Sequence, residues 1–353
     1  MKPKLFLFYP LLFAFLIFLL DKVFLMDYFH SQFLQTGNMI YYRHREDLIE
    51  KLRKFQEESS KKIILGLGDS RSYSYSSLAF ELNKEKPERM ENYTIYNFSA
   101  PQAVPAYSLF ILEKILEKKV KINTIFLSLS PEGFDDKKRL MSQPFLRLGA
   151  DDVFFQKYKN LIPEEDQYEY FLDKVFALRK IELNYPLLLN RLKTKKMNQY
   201  NKAYNEEMLI LNIYNGEQLS YTTYYNDEEK LKKDSLRMGN IYFYNFEIHD
   251  TQFQFLEKIL SLSKDNDIHV YLIFPRVYQD YRKNFDKYKL YQEWWPRVLG
   301  LAENYGMSAV DFNKESTCDL FYDASHQSTI CYYEQINYLM EKEENRLRSE
   351  KIK

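Results

Sequence analysis

The chain has 353 residues, enough for one large α/β domain or two ordinary ones around a sizeable core. Its 45% hydrophobic content argues against bulk disorder. The 50 lysines and arginines balance 50 aspartates and glutamates, so the basic surplus of a nucleic-acid binder is missing and no nucleic-acid partner is expected.

Lys2 and Lys4 precede an unbroken apolar run from Leu5 to Leu20, which resumes after Asp21-Lys22 as far as Met26. Counted through Met26 it would make a helix of about 33 Å, close to a bilayer core. No small-residue cleavage site follows, so the segment reads as an uncleaved signal anchor with the body outside the cytoplasm. A polar stretch comes next, in which Leu48, Leu52 and Phe55 mark one stripe of a helix.

Ile63–Leu67 is a continuous apolar run, the pattern of a central parallel strand covered on both faces. Further strands are expected at Tyr93–Tyr96, Ile122–Leu129, Ile268–Phe274 and Ser308–Phe312. Helices are expected at Ala106–Lys118, Thr251–Ser263, Trp294–Tyr305 and Thr329–Arg346. From Asp135 to Glu247 the chain is rich in Lys, Asn, Tyr and Glu, with helical pieces only near Tyr168–Arg179 and Tyr185–Lys193. The alternation predicts an α/β fold, a three-layer sandwich around a mostly parallel five-stranded sheet. The expected organisation is an anchor over residues 1–27, a juxtamembrane helical linker over 28–60, the α/β domain over 61–345 with a helical insertion or lid at about 135–247, and a charged tail over 346–353.

Ligands of such sheets bind beyond the carboxyl ends of the strands, and two motifs fall there. Gly68-Asp69-Ser70 follows the first strand, and Asp323-Ala324-Ser325-His326 follows the fifth. Of five histidines, His326 alone has a carboxylate three residues before it in a loop at the strand ends. Ser70 as nucleophile, His326 as proton carrier and Asp323 as its orienting partner make up an acyl-transfer set. The duller alternatives are a helix-cap serine and a surface-loop histidine. Arg71 and Arg276 could clamp an acidic acceptor or serve as surface ion-pair residues. No standard zinc spacing is present, and neither a metal nor a cofactor is expected. Cys318 and Cys331 bracket the late motif and are either a disulfide or two buried thiols.

Taken together, these residues resemble the SGNH/GDSL hydrolase superfamily, in which a Gly-Asp-Ser follows strand one and a late Asp-x-x-His completes a triad. Ser130-Pro131-Glu132-Gly133-Phe134 and the N-terminal run look most like its membrane-anchored DltD-like branch. A similar anchored architecture occurs in uncharacterised spirochaete proteins. The resemblance implies an SGNH/flavodoxin-like fold and a place in the cytoplasmic membrane, single-pass, with the C-terminal domain extracytoplasmic. It also implies an envelope glycan or lipid substrate and a membrane-bound acyl-donor protein as partner. By the same resemblance the family's oxyanion glycine falls near Gln102, after Asn97 and Ser99, and its oxyanion asparagine falls near Glu132. A carboxylate cannot donate to an oxyanion unless protonated. The expected function is therefore serine-dependent acyl transfer or ester hydrolysis on envelope O-acyl groups. The alternative is a catalytically inactive, membrane-anchored scaffold or glycan- or lipid-binding protein.

Overall fold

The computed structural model describes residues 8–23, 37–135, 140–181, 185–195, 209, 211–216 and 221–352. The chain divides into two compact units, Met1–His44 with Leu140–Met208, and Arg45–Arg139 with Leu209–Lys353. Residues 135–247 are thus shared between them.

The second unit is built on five strands, β1 (Lys62–Leu67), β2 (Tyr93–Asn97), β3 (Thr124–Ser128), β4 (His269–Phe274) and β5 (Ser308–Asp311). They pair in the order β2-β1-β3-β4-β5, parallel throughout. Both faces of β3 and β4 are fully buried, which explains why they read as continuous apolar runs rather than alternating ones. On one face Ile64, Phe126, Tyr271, Ile273 and Val310 form a single core with Phe80 of helix Leu78–Asn83 and Ile336, Leu339 and Met340 of helix Tyr332–Ile352. Helix Asp250–Asp265 packs beside helices Pro105–Glu117 and Trp295–Tyr305 and touches β4. A sheet flanked by helices in this order has a flavodoxin-like layout. Its direction of winding reverses between β1 and β3, which opens a crevice at their carboxyl ends.

Two short strands, β6 (Phe321–Asp323) and β7 (His326–Gln327), form an antiparallel hairpin after β5. Helices Glu228–Tyr242 and Gln279–Lys287 were not anticipated; both are short of apolar residues, and their helical period is carried by few side chains.

In the first unit, helix Phe8–Val23 has 16 residues, about 24 Å at about 1.5 Å per residue. Residues 1–7 and 24–36 lie outside the described residues. Among the described residues no helix is long and apolar enough to cross a membrane. The anchor expected over residues 1–27 is corrected accordingly. With it go the single-pass location in the cytoplasmic membrane, the extracytoplasmic body and the lipid bilayer as partner. Asp21 and Lys22, which interrupt the apolar run, have protein partners. The Asp21 carboxylate is 5% exposed and accepts the N–H groups of Ala177 (2.7 Å) and Leu178 (2.9 Å), capping helix Ala177–Ile181. Lys22 donates to the Val175 carbonyl.

Candidate active site

The site begins where β1 stops. Gly68 has φ +128°, and a Cβ there would lie 2.5 Å from the Ser128 carbonyl oxygen and 2.9 Å from Ser72 Oγ. Only glycine lets β1 turn this close to the end of β3. Asp69 then caps the turn Ser70–Ser72 by accepting the Arg71 N–H at 2.9 Å. Asn97, the last residue of β2, donates through Nδ2 to the carbonyls of Ser72 (2.7 Å) and Tyr73 (2.9 Å), and Ser72 Oγ donates to Ser99 Oγ at 2.6 Å. Side-chain bonds of this kind compete with helix formation. Ser70 therefore opens a single 3-10 turn, and the next α-helix starts at Leu78.

The β6–β7 hairpin carries the other motif. Asp323 and His326 face each other across it. Asp323 Oδ1 accepts the N–H groups of Ser325 (2.8 Å) and His326 (3.0 Å), which orders the turn between them. Both Asp323 carboxylate oxygens lie 2.9 Å from His326 Nδ1. His326 Nε2 lies 2.7 Å from Ser70 Oγ, across 256 residues of sequence. With Nδ1–H donated to Asp323, the Nε2 lone pair faces the serine. Burial acts to raise the Asp323 carboxyl. The hydrogen bonds from the His326 ring and from the two N–H groups outweigh it and hold the group ionised below its ordinary range.

A disulfide joins Cys318 and Cys331 around this hairpin, with Cα atoms 5.5 Å apart. The Cys318 carbonyl also accepts from Gln327 Nε2 at 2.6 Å. In the chain-entropy account, closing a loop of this length stabilises by about 3 kcal/mol. Changing both cysteines to serine is expected to lower the urea-unfolding free energy by about that amount. A loss under about 1 kcal/mol would show that the hairpin is ordered without the bridge.

Asp69, Ser70, Arg71, Gln102, Ala103, Glu132, Gly133, Tyr242, Ser325 and His326 line an open cleft beside the serine. It holds about 410 Å³ of empty space, open solvent included. Gln102 has φ +53°. Ala103 N–H bonds the Ala100 carbonyl at 3.2 Å, closing a turn with Pro101 second and Gln102 third. That is a type II turn, so Gln102 adopts a conformation usually left to glycine. The turn the sequence lacked a glycine for is present.

Arg71 and Glu132 form a bidentate pair at 2.9 and 2.6 Å, both side chains almost wholly buried. Tyr281 donates its hydroxyl to Glu132 and receives Arg71 Nη2 at 3.3 Å. Burial acts against both charges. For Glu132 the Arg71 charge prevails and holds the carboxyl below its ordinary value; for Arg71 the Glu132 charge prevails and raises the guanidinium further. Glu132 therefore stands in the cleft as a neutralised carboxylate.

The remaining candidates lie elsewhere. Asn97 and Ser99 are buried behind the Ser70 turn as braces. Arg276 is paired with Asp319 and bonds the Ser316 carbonyl, and it does not line the cleft. His249 caps helix Asp250–Asp265, and His269 meets Ser308 at 2.9 Å, its imidazole pushed down to about 4 by burial. Three tyrosines had escaped notice, Tyr221 over the His326 ring, Tyr242 in the cleft wall and Tyr281 on the ion pair. No spacing signal marks them among 31 tyrosines. Among the described residues no group of three or more His, Cys, Asp or Glu could hold a metal ion.

A family model described as protein of unknown function (DUF1574) matches residues 1–342. The chain belongs to the DUF1574 family. No curated protein matches it. This corrects the resemblance to the SGNH/GDSL superfamily and its DltD-like branch, and to anchored spirochaete proteins. The family match covers almost the whole chain, whereas that resemblance rested on short motifs and on an anchor that the described helices do not supply. The envelope substrate and the membrane-bound acyl-donor partner rested on the same anchor and are withdrawn with it. What stands is a parallel α/β sheet domain compatible with a hydrolase.

Proposed function

We propose that this protein is a serine-dependent hydrolase or acyltransferase acting on an ester or thioester. One observation carries the reading: the unbroken hydrogen-bond chain from Ser70 Oγ through His326 to Asp323, at 2.7 and 2.9 Å. In the proposed reaction Ser70 Oγ attacks the acyl carbon, and the carbonyl π electrons move onto oxygen. His326 Nε2 takes the serine proton. The tetrahedral intermediate collapses, the bond to the alcohol or thiol breaks, and His326 returns the proton to that leaving group. Water, or an acceptor hydroxyl, then attacks the acyl-serine by the same route and regenerates Ser70. Asp323 stays ionised and keeps the imidazole in the tautomer that can accept. Ser70 and Gln102 backbone N–H groups are the oxyanion donors this reading requires. The neutralised Glu132 removes the main electrostatic objection to an oxyanion in the cleft.

The test is covalent labelling of the native chain and Ser70→Ala with a fluorophosphonate probe. Labelling of the native chain that disappears in the variant is the expected result. An unreactive native chain, or a variant that labels equally, would rule out Ser70 as nucleophile.

A further inference from the structure

We infer that Tyr221 is a positioning residue for His326, holding the imidazole in the plane in which one nitrogen meets Ser70 and the other meets Asp323. The inference rests on the catalytic reading above and adds to it a residue that neither motif contains.

The Tyr221 ring lies on the His326 ring with centroids 4.4 Å apart and planes 18° apart. Tyr73 stacks parallel to Tyr221 at 6.0 Å and 14°. Tyr322, next to Asp323 in β6, meets Tyr221 at 5.1 Å and 56°. Tyr221 is thus held by the segment after the serine and by the hairpin that carries the histidine. Its hydroxyl lies in the field of Asp323 and Asp69; burial first, and those carboxylates after it, keep the phenol protonated.

The physical consequence concerns rotation. The Asp323 carboxylate and, at 3.0 Å, the Ser325 hydroxyl meet the imidazole at Nδ1, one edge of the ring, where they oppose a swing about that edge only weakly. Such a swing carries Nε2 out of line with Ser70 Oγ. A ring face parallel to the imidazole opposes it by contact. The same face carries negative quadrupole density, which favours the imidazolium formed as the serine proton moves. Both effects belong to the ring, so phenylalanine should replace tyrosine here and an aliphatic residue should not.

The full-length chain and three variants, Tyr221→Phe, Tyr221→Leu and Tyr221→Gln, are titrated with a fluorophosphonate probe, separating the saturating inactivation rate from the half-saturating concentration. Thermal midpoints are recorded alongside. Tyr221→Phe is expected within about threefold of the native rate. Tyr221→Leu is expected to lose about 10- to 100-fold in saturating rate, the scale of a mispositioned catalytic group, with half-saturation little changed. Tyr221→Gln fills the slot without an aromatic face and repeats the measurement if leucine unfolds the chain. A native rate in either non-aromatic variant overturns the inference while leaving the catalytic reading intact. An equal loss in Tyr221→Phe also overturns it, by assigning the effect to the hydroxyl. A native chain that does not react with the probe overturns both readings together.

Discussion

Asp323→Asn is expected to lower the rate of Ser70 acylation by about 10⁴-fold, the scale seen when a triad carboxylate becomes an amide. The loss corresponds to about 5.4 kcal/mol of transition-state stabilisation. Its origin is the tautomer. Both Asp323 oxygens lie 2.9 Å from His326 Nδ1, so a carboxylate can only accept there and Nε2 is left with a lone pair toward Ser70. Asparagine can turn its amide N–H toward Nδ1. The proton then sits on Nε2, where it blocks transfer from the serine. The two turn N–H groups that bond Asp323 Oδ1 retain an acceptor in the asparagine carbonyl only if the amide is turned so. That choice favours the unproductive tautomer. Folding should be little affected, with a thermal midpoint within a few degrees. Fluorophosphonate labelling kinetics make the measurement, and a loss smaller than tenfold would remove Asp323 from the mechanism.

The sheet was legible in the sequence because burial on both faces leaves a short apolar run such as Ile63–Leu67 with turn residues after it. The convergence of Ser70, Asp323 and His326, on which the proposed site rests, could be expected because histidine is scarce and the motifs fell at strand ends. The surroundings of the site were not. Arg71 and Glu132 are 61 residues apart and meet because β1 and β3 are neighbours, a pairing no local pattern encodes. Read singly, Glu132 looked like an obstacle and Arg71 like an anion clamp; together they are a neutral unit. Asn97 sat at a strand end like the site residues, but its side chain turns inward to three carbonyls of the Ser70 segment. Tyr221 lies in a stretch without periodicity, and its position depends on tertiary stacking. At the N-terminus, hydropathy counted a run through Asp21 as a membrane span. The local sequence gives no sign that Asp21 would cap a helix 156 residues later.

Arg71→Met is expected to cost about 3–5 kcal/mol of stability at neutral pH, the range for a buried ion pair broken on one side. The guanidinium leaves behind a Glu132 carboxylate that is 5% exposed, with the Tyr281 hydroxyl still donating to it. Replacing both partners, as Arg71→Met with Glu132→Leu, removes the stranded charge, and most of the loss should be recovered. The pH dependence separates this cause from simple loss of packing. In the native chain Glu132 is held below its ordinary value of about 4.3. Its contribution is therefore complete above that pH and is lost as pH falls through the depressed folded value. In Arg71→Met the sign reverses, because burial without the arginine favours the protonated acid. The folded variant then binds a proton more readily than the unfolded chain, so acidification stabilises it relative to neutral pH. The native-minus-variant difference in urea-unfolding free energy should be largest near pH 7 and should shrink toward pH 4. A difference that stays constant over that interval would mean that Arg71 acts only through its aliphatic stem and its contact with the Tyr281 ring, 5.6 Å from the guanidinium carbon.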